Sequence, residues 1–208
     1  MLQIQAIEPA TLSLLKTLMK IPELSDFYLV GGTALAFKYG HRKSIDLDLF
    51  SIHPFDRALL LDVLQKQFKE RLVFNANFSK WGIFCFIDSI KVDIVYYPHS
   101  IISPTECKND IRVYGDPDLI AMKIQAVLGR GVKKDFWDLA ELLQYYGLNE
   151  MIDFHIKKYP SQMLGISIPM ALTYFAEADE SENPIPIKPT TWDDVKFKIK
   201  ESVRNYLS

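Results

Sequence analysis

An apolar stretch that stops at two glycines, followed at once by a helical pattern and an alternating strand, constrains this chain more than any other feature. The residues FYLV predict a short buried strand that ends at Gly31 and Gly32. Thr33 is in position to cap the next helix, and Gly40 is in position to end it in a left-handed conformation. The segment IDLDLF then predicts a second strand, because apolar and acidic residues alternate in it.

The rest of the chain divides into a mixed first part and a helical second part. Three β-like runs, RLVFN, WGIFCFI and IKVDIVYY, lie in the first part. Helical patterns cover residues 11–20, 55–70, 118–129, 133–146 and 192–206, and prolines at 184, 186 and 189 predict an extended connection before the last of them. We therefore predict an α+β fold, a mixed sheet with flanking helices followed by a helical C-terminal part, with domains at 1–112 and 113–208.

Bulk composition favours an ordinary globular protein of the cytoplasm. Hydrophobic residues make up 49% of the chain, no apolar run is long enough to span a membrane, and the N-terminus does not resemble a secretory signal. The only cysteines are Cys85 and Cys107, and Cys85 lies in an apolar stretch, so a disulfide framework is not expected.

A net charge of −2 gives no overall attraction for nucleic acid, so any polynucleotide must be met by a local basic group. Three groups qualify: Arg130 with Lys133 and Lys134; Lys157 with Lys158; and Lys196, Lys198, Lys200 and Arg204. For the last group a solvated helix face is the favoured interpretation.

Asp46 and Asp48 are the strongest candidates for chemistry. Side chains two apart in a strand point to the same face, so two carboxylates are predicted to lie side by side while Leu47 and Leu49 face the core. Such a pair repels itself unless a cation neutralises it, as in sites where divalent ions hold a phosphoryl group. The alternative is an acidic pair on a solvated surface.

Asp93 adds a third carboxylate, because it interrupts an apolar strand in which an unpaired charge would be costly. If its strand lies beside that of Asp46 and Asp48, the three oxygen ligands suit Mg²⁺. The alternative is a buried ion pair with an Arg or a Lys.

Cations and backbone amides near these acids are candidate phosphate ligands. Gly31 and Gly32 let a phosphate approach the backbone at a helix N-terminus, Thr33 adds a hydroxyl, and Arg42 adds charge. A plain tight turn and a surface salt bridge are the alternatives.

Two consecutive helices in the second half carry a further pair of candidates. Lys123 and Asp135 lie on either side of the short GRGVK turn, so both are predicted to face one cleft. Lys123 would bind the triphosphate, and Asp135 would orient that lysine or assist the acceptor. Lys134 and Asp138 are predicted to form a simple i,i+4 pair instead.

Three segments together resemble the AbiEii/AbiGii toxin family of nucleotidyltransferases, within the DNA polymerase β-like superfamily. The segments are LVGGTALAFKYGHRKSIDLDLF, KVDIVYY and DLIAMKIQAVLGRGVKKDFWDLAELL, and the resemblance spans residues 28–143. It implies a nucleotidyltransferase-like fold in which Gly31, Gly32, Thr33, Arg42 and Lys123 bind the nucleotide. It also implies catalytic roles for Asp46, Asp48, Lys123 and Asp135, and metal binding by Asp46, Asp48 and Asp93.

The resemblance further implies what the enzyme acts on. The donor would be a nucleoside triphosphate, the cofactor Mg²⁺ with Mn²⁺ as a substitute, and the acceptor a hydroxyl such as the 3′ end of transfer RNA. The setting would be a toxin–antitoxin or phage-defence system, with a cognate antitoxin protein as partner and no membrane. The alternatives are a nucleotidyltransferase with a small-molecule acceptor, as in antibiotic modification, and a nucleotide-binding module without turnover.

Overall fold

The computed structural model describes residues 3–74 and 80–208, and within them seven strands form one mixed sheet. Asn75, the last residue of the predicted run RLVFN, lies outside the described residues, as do Met1 and Leu2. The strands are β1 (Tyr28–Val30), β2 (Leu47–Ser51), β3 (Leu72–Phe74), β4 (Gly82–Ile87), β5 (Ile90–Tyr96), β6 (Glu106–Lys108) and β7 (Ile111–Val113). Their order across the sheet is β3-β4-β5-β2-β1-β7-β6.

Helices flank this sheet and make up most of the chain after it. They are α1 (Pro9–Met19), α2 (Gly31–Tyr39), α3 (Arg57–Phe68), α4 (Asp116–Gly129), α5 (Lys133–Leu142), α6 (Leu148–Lys158), α7 (Ile168–Leu172), α8 (Ala176–Asp179) and α9 (Trp192–Leu207). Single turns of 3₁₀ helix cover Ile4–Ala6, Pro22–Leu24 and Lys69–Arg71. The predicted α+β class, with a mixed sheet, flanking helices and a helical C-terminal part, is confirmed. None of the helices in the described residues has both the length and the apolar character needed to cross a membrane.

The central strand β2 fixes the positions of the acidic side chains. It runs antiparallel to β1 and parallel to β5, and its residue Asp48 pairs with Val30 on one side and Asp93 on the other. Leu47 and Leu49 are buried in the core, as the alternation predicts, which leaves Asp48 on the opposite face of the sheet.

One hydrophobic core runs through both parts of the chain. Buried side chains of the sheet and its helices, such as Leu15 and Leu47, belong to the same cluster as Ile120 and Phe136 of the helical part. The predicted boundary falls within β7, which ends at Val113, three residues before α4 begins. The division at 112/113 stays a prediction.

Several element ends differ from the sequence prediction. Helix α2 begins at Gly31, its N-cap is Val30 without a side-chain bond, and Thr33 lies inside the first turn. The predicted capping role of Thr33 is therefore wrong, because its hydroxyl is used elsewhere. Gly40 does end the helix in the left-handed region, with φ 63°. Helix α5 ends at Leu142, four residues early, because the backbone tightens into i−3 hydrogen bonds at Gln144 and Tyr145.

Some elements were not predicted at all. Strands β6 and β7 form a hairpin whose turn residues Asn109 and Asp110 both have positive φ, a conformation that Asn and Asp tolerate. The proline-rich connection is extended at Pro186, which forms a β-bridge with Arg42. This bridge ties the loop that carries Arg42 to the C-terminal third of the chain.

Candidate active site

A cavity of about 320 Å³ lies between the acidic face of the sheet and helices α4 and α5. The predicted site residues that line it are Gly31, Gly32, Arg42, Asp46, Asp48, Asp93, Lys123 and Asp135. Its other lining residues are Val30, Ser44, Phe50, Tyr97, Leu119, Met122, Gln125, Ala126, Arg130 and Lys134. The fold therefore brings together predicted site residues that are as much as 104 positions apart, from Gly31 to Asp135. Thr33 is the one predicted site residue that does not line the cavity.

Asp48 and Asp93 are direct neighbours on parallel strands. Burial raises the pKa of Asp48 to about 6, and the negative charge of Asp93 adds to that rise. The Oδ1 atom of Asp93 is buried and has no hydrogen-bond partner. Two neighbouring, largely buried carboxylates, one with an unpartnered oxygen, offer the oxygen ligands that suit a divalent cation.

Asp46 lies at the rim of this pair. It immediately precedes β2, its side chain is 38% exposed, and one carboxylate oxygen is 3.6 Å from Nζ of Lys134. Lys91 occupies the other oxygen of Asp93 at 2.5 Å. Within the described residues no three His, Cys, Asp or Glu side chains are already arranged around one ion position. The carboxylate oxygens of this site are therefore of the type that a hard cation prefers. Lys134 contacts Asp46 and Lys91 contacts Asp93.

The two glycines make room for side chains of the site. Gly31 has φ +71°, and a Cβ atom there would lie 2.3 Å from Oδ2 of Asp48. A Cβ atom on Gly32 would lie 2.3 Å from Nη2 of Arg42. Glycine is therefore required at both positions to leave room for Asp48 and Arg42. It would also let a phosphate approach the backbone.

Thr33 is buried and turned away from the cavity. Its hydroxyl donates to the backbone carbonyl of Asp46 and lies 2.8 Å from the hydroxyl of Ser44. This arrangement does not match the expected phosphate contact, because the hydroxyl is already hydrogen-bonded inside the wall. Thr33 instead holds the segment that presents Ser44 and Asp46 to the cavity.

The guanidinium of Arg42 is also hydrogen-bonded to other residues of the protein. Its buried guanidinium forms a two-pronged contact with Asp138, at 2.6 Å from Nε and 2.8 Å from Nη2, and its Nη1 donates to the carbonyl of Lys43 at 3.0 Å. These contacts use three of the five N–H donors of the guanidinium, and Arg42 lines the cavity, so its phosphate contact stays a prediction. Arg42 forms a wall of the cavity and fixes the loop ahead of Asp46 to helix α5.

Asp138 is the centre of a buried charge network that the sequence prediction missed. It accepts hydrogen bonds from Arg42, and His41 Nε2 and Lys123 Nζ lie 2.7 Å and 2.9 Å from its carboxylate oxygens. Although burial opposes ionisation, the charges of Arg42 and Lys123 hold the pKa of Asp138 well below its usual value. The predicted i,i+4 pair of Lys134 with Asp138 is wrong, because Lys134 faces Asp46 instead.

Lys123 joins this network to Asp135. Its Nζ is 2.9 Å from Oδ1 of Asp135, whose other oxygen accepts from Nε of Arg130 at 3.2 Å. Burial alone would lower the pKa of Lys123, but Asp138 and Asp135 raise it, so the lysine is charged. Asp135 and Asp138 are three apart in KKDFWDL and so share a helix face, and that spacing was the available signal for Asp138.

Comparison with known proteins identifies the family. The model of the family described as "Nucleotidyl transferase AbiEii toxin, Type IV TA system" matches residues 13–187. A relative from Aquifex aeolicus (strain VF5), named "Uncharacterized protein aq_aa25", is 35% identical over 189 residues, which is 88% of this chain and 89% of that protein.

Solved structures with the same fold are much more distant in sequence. "MenT4, nucleotidyltransferase toxin Rv2826c" from Mycobacterium tuberculosis H37Rv matches with a TM-score of 0.63 at 12% identity, over 93% of this chain and 82% of that one. JHP933 from Helicobacter pylori matches with a TM-score of 0.51 at 15% identity, over 96% and 92% of the two chains. The extent of the family match shows that this chain belongs to the AbiEii toxin family and is a nucleotidyltransferase.

Proposed function

We propose that this enzyme transfers a nucleoside monophosphate from a nucleoside triphosphate to an acceptor hydroxyl, with Mg²⁺ as the natural cofactor and Mn²⁺ as a substitute. The observation that carries this proposal is the neighbouring pair Asp48 and Asp93, with the unpartnered buried oxygen of Asp93 beside a carboxyl of raised pKa. Asp46 completes the set of oxygen ligands from the rim. When bound, a divalent ion neutralises triphosphate charge and polarises the reacting phosphoryl group.

The triphosphate would lie against the cationic wall of the cavity. Lys123, Arg130 and Lys134 line that wall, and the N-terminus of α2 at Gly31 and Gly32 offers backbone amides to an anion. Lys123 is held in place by Asp135 and Asp138, so its charge is positioned before the substrate arrives. Thr33 acts as a positioning residue, since its hydroxyl is hydrogen-bonded inside the wall, and Arg42 supports the same wall through its ion pair with Asp138.

The nucleoside would occupy the apolar side of the same cavity. Phe50, Tyr97, Leu119 and Met122 line it there, and Gln125 adds a polar side chain. A volume of about 320 Å³ is within the range of small-ligand sites, which begins at roughly 300 Å³. The cavity therefore offers a charged half to the phosphates and an apolar half to the base and ribose.

The chemistry is an in-line displacement at the α-phosphorus. The acceptor oxygen forms a bond to that phosphorus, the bond between the α-phosphorus and its bridging oxygen breaks, and pyrophosphate leaves. In this proposal the proton of the acceptor hydroxyl passes to a carboxylate of the Asp48 and Asp93 pair. Asp135 serves the reaction indirectly, by keeping Lys123 and Arg130 oriented.

The test is label transfer from each α-labelled triphosphate to total transfer RNA in the presence of Mg²⁺. We expect a labelled RNA product from the wild-type enzyme, and a loss of at least about a hundredfold in Asp48→Asn, because a metal-binding charge is removed without a change of shape. Asp153→Asn, on the exposed side of α6, is the matched control and should be fully active. Undiminished transfer by Asp48→Asn would refute the proposed metal role. Label that moves only with small metabolites would identify a small-molecule acceptor instead.

We further propose that the activity is toxic and is restrained by a cognate antitoxin. The support is the family description, which names a type IV toxin–antitoxin system. Induced expression should arrest bacterial growth, and Asp48→Asn expressed at the same level should not. Equal growth inhibition by both proteins would separate toxicity from nucleotidyl transfer.

A further inference from the structure

The face of the sheet that carries Asp93 continues beyond the cavity as an exposed aromatic surface. Phe84 of β4 pairs directly with Asp93 of β5, and Phe86 pairs with Lys91. Val73 of the edge strand β3 pairs in turn with Phe86. The rings of Phe84 and Phe86 are 43% and 48% exposed, and Val73 is 62% exposed. We call these four residues, Val73, Phe84, Phe86 and Lys91, the ring platform.

The side chains on the opposite face of the same strands pack into the hydrophobic core. Ile83, Cys85 and Ile87 alternate with the two rings and are buried, and α3 packs on β3 and β4. The exposure of Phe84 and Phe86 is therefore confined to the face that leads to the carboxylates. Two large rings on a solvated strand face cost free energy unless a ligand covers them.

We propose that the ring platform binds the single-stranded end of an acceptor RNA, with its terminal bases stacked on Phe84 and Phe86. This proposal rests on the proposed nucleotidyl transfer. Neighbouring strands lie about 4.8 Å apart, so a base over Phe84 lies about one strand spacing from the backbone of Asp93. An acceptor hydroxyl must reach that carboxylate pair, and the ring platform is the surface that adjoins it outside the donor cavity.

The chemistry of the platform favours a nucleic acid strand over a protein segment. Exposed aromatic rings on a sheet stack on unpaired bases, and a nearby cation meets the phosphate backbone. Lys91 is the nearest cation on the platform: its side chain is 46% exposed, although its Nζ is paired with Asp93 at 2.5 Å. With a net charge of −2, the chain has no general attraction for RNA, so stacking has to supply much of the affinity.

The test measures RNA binding without donor. A short fluorescent single-stranded oligoribonucleotide is titrated with the full-length protein and followed by anisotropy at fixed salt concentration. We expect the double variant Phe84→Ala/Phe86→Ala to bind at least about tenfold more weakly, as expected for the loss of base–ring stacking. Phe84→Tyr/Phe86→Tyr, which keeps both rings, should bind like the wild type. Phe197→Ala removes an even more exposed ring, 68% exposed on α9, and should have no effect.

Transfer kinetics give a second readout. In Phe84→Ala/Phe86→Ala the KM for RNA should rise by a similar factor while the KM for the triphosphate stays unchanged, because neither ring lines the donor cavity. Equal RNA affinity of wild type and the alanine variant, or no single-strand binding by the wild type, would overturn the platform. So would a loss of self-association with unchanged RNA binding, since a second copy would then cover the rings.

The two proposals fail in different ways. Ring-dependent RNA binding without any transfer product would leave the platform standing and refute the transfer reaction. Transfer to a small molecule at a rate that does not depend on Phe84 or Phe86 would support the transfer reaction and refute the ring platform.

Discussion

At the scale of single residues, the site depends on groups that are unfavourable to fold. Asp48 is an acid beside another acid in a largely buried position, and Gly31 has a backbone conformation that other residues resist. The buried acid pair reduces stability, whereas glycine adopts the conformation at position 31 without strain. Substitution of Asp48 should therefore separate stability from activity, and substitution of Gly31 should lower both.

Asp48→Asn should stabilise the metal-free protein at neutral pH. The folded chain holds a proton on Asp48 up to a pKa of about 6, compared with 3.8 for the ordinary group, so wild-type stability falls as pH rises through that window. Removing the charge should therefore raise the free energy of unfolding by up to about 3 kcal/mol at pH about 7.5. Urea unfolding at several pH values in the presence of a chelator measures this.

The same gain should shrink as the pH is lowered and vanish at about pH 3 and below, where the wild-type carboxyl is protonated in both states. Added Mg²⁺ or Mn²⁺ should stabilise the wild type and not Asp48→Asn. An equal response of both proteins to the metal would count against a metal site at Asp48.

Gly31→Ala should lower both stability and transfer. The left-handed backbone costs an alanine about 1–2 kcal/mol, and the new methyl group would displace the carboxylate of Asp48. Gly129→Ala is the matched control, because no atom lies within 4 Å of a Cβ at that helical position. Thermal unfolding and label transfer should both distinguish the two variants, and full activity of Gly31→Ala would contradict the close approach.

At the scale of elements, the sheet was easier to predict than the network behind it. Alternating burial along IDLDLF placed Asp48 on the ligand face, and the apolar run around Asp93 correctly indicated a strand. The adjacency of β2 and β5 could not be predicted, because 38 residues and two further strands separate Ser51 from Ile90 and pairing over that distance depends on the whole fold. The buried role of Asp138 was missed because an exposed i,i+4 pair explains the same local sequence.

Helix α9 gives an element-scale prediction. Thr191 and Asp194 form a reciprocal capping box at its N-terminus, and the helix packs on α5, which carries Asp135 and Asp138. Thr191→Ala should cost about 1 kcal/mol of unfolding free energy with little change in kcat, because α5 keeps its other contacts. Thr191→Ser should retain the stability. A large loss of kcat would show that α9 controls the position of the catalytic helix.

At the scale of the whole molecule, the two predicted parts are joined by both core and charge. The hydrophobic cluster is continuous, and the buried pair of Arg42 with Asp138 adds a second link, at 2.6 Å, between the loop before β2 and α5. The full chain should therefore unfold in one cooperative transition. Coincident urea curves from tryptophan fluorescence and far-ultraviolet circular dichroism would confirm this, and two separated midpoints would favour independent domains at 1–112 and 113–208.

Asp138→Asn should weaken the whole molecule. Removing the charge leaves Arg42 and Lys123 buried with less compensation, and the loss of one partner of a buried ion pair costs about 3–5 kcal/mol. Asp153→Asn again serves as control, because that side chain is exposed. A free energy of unfolding equal to that of the wild type would mean that the network contributes nothing to folding.

The fastening of Arg42 also determines how the cleft can move. On one side of the cleft, the loop around Arg42 is held to α5 by its ion pair with Asp138 and to Pro186 by a β-bridge. On the other side, a half-exposed contact of 3.6 Å joins Asp46 to Lys134. We therefore expect the cleft to hinge near Arg42 and to open near Lys134. Substrate should enter, and pyrophosphate should escape, past Lys134.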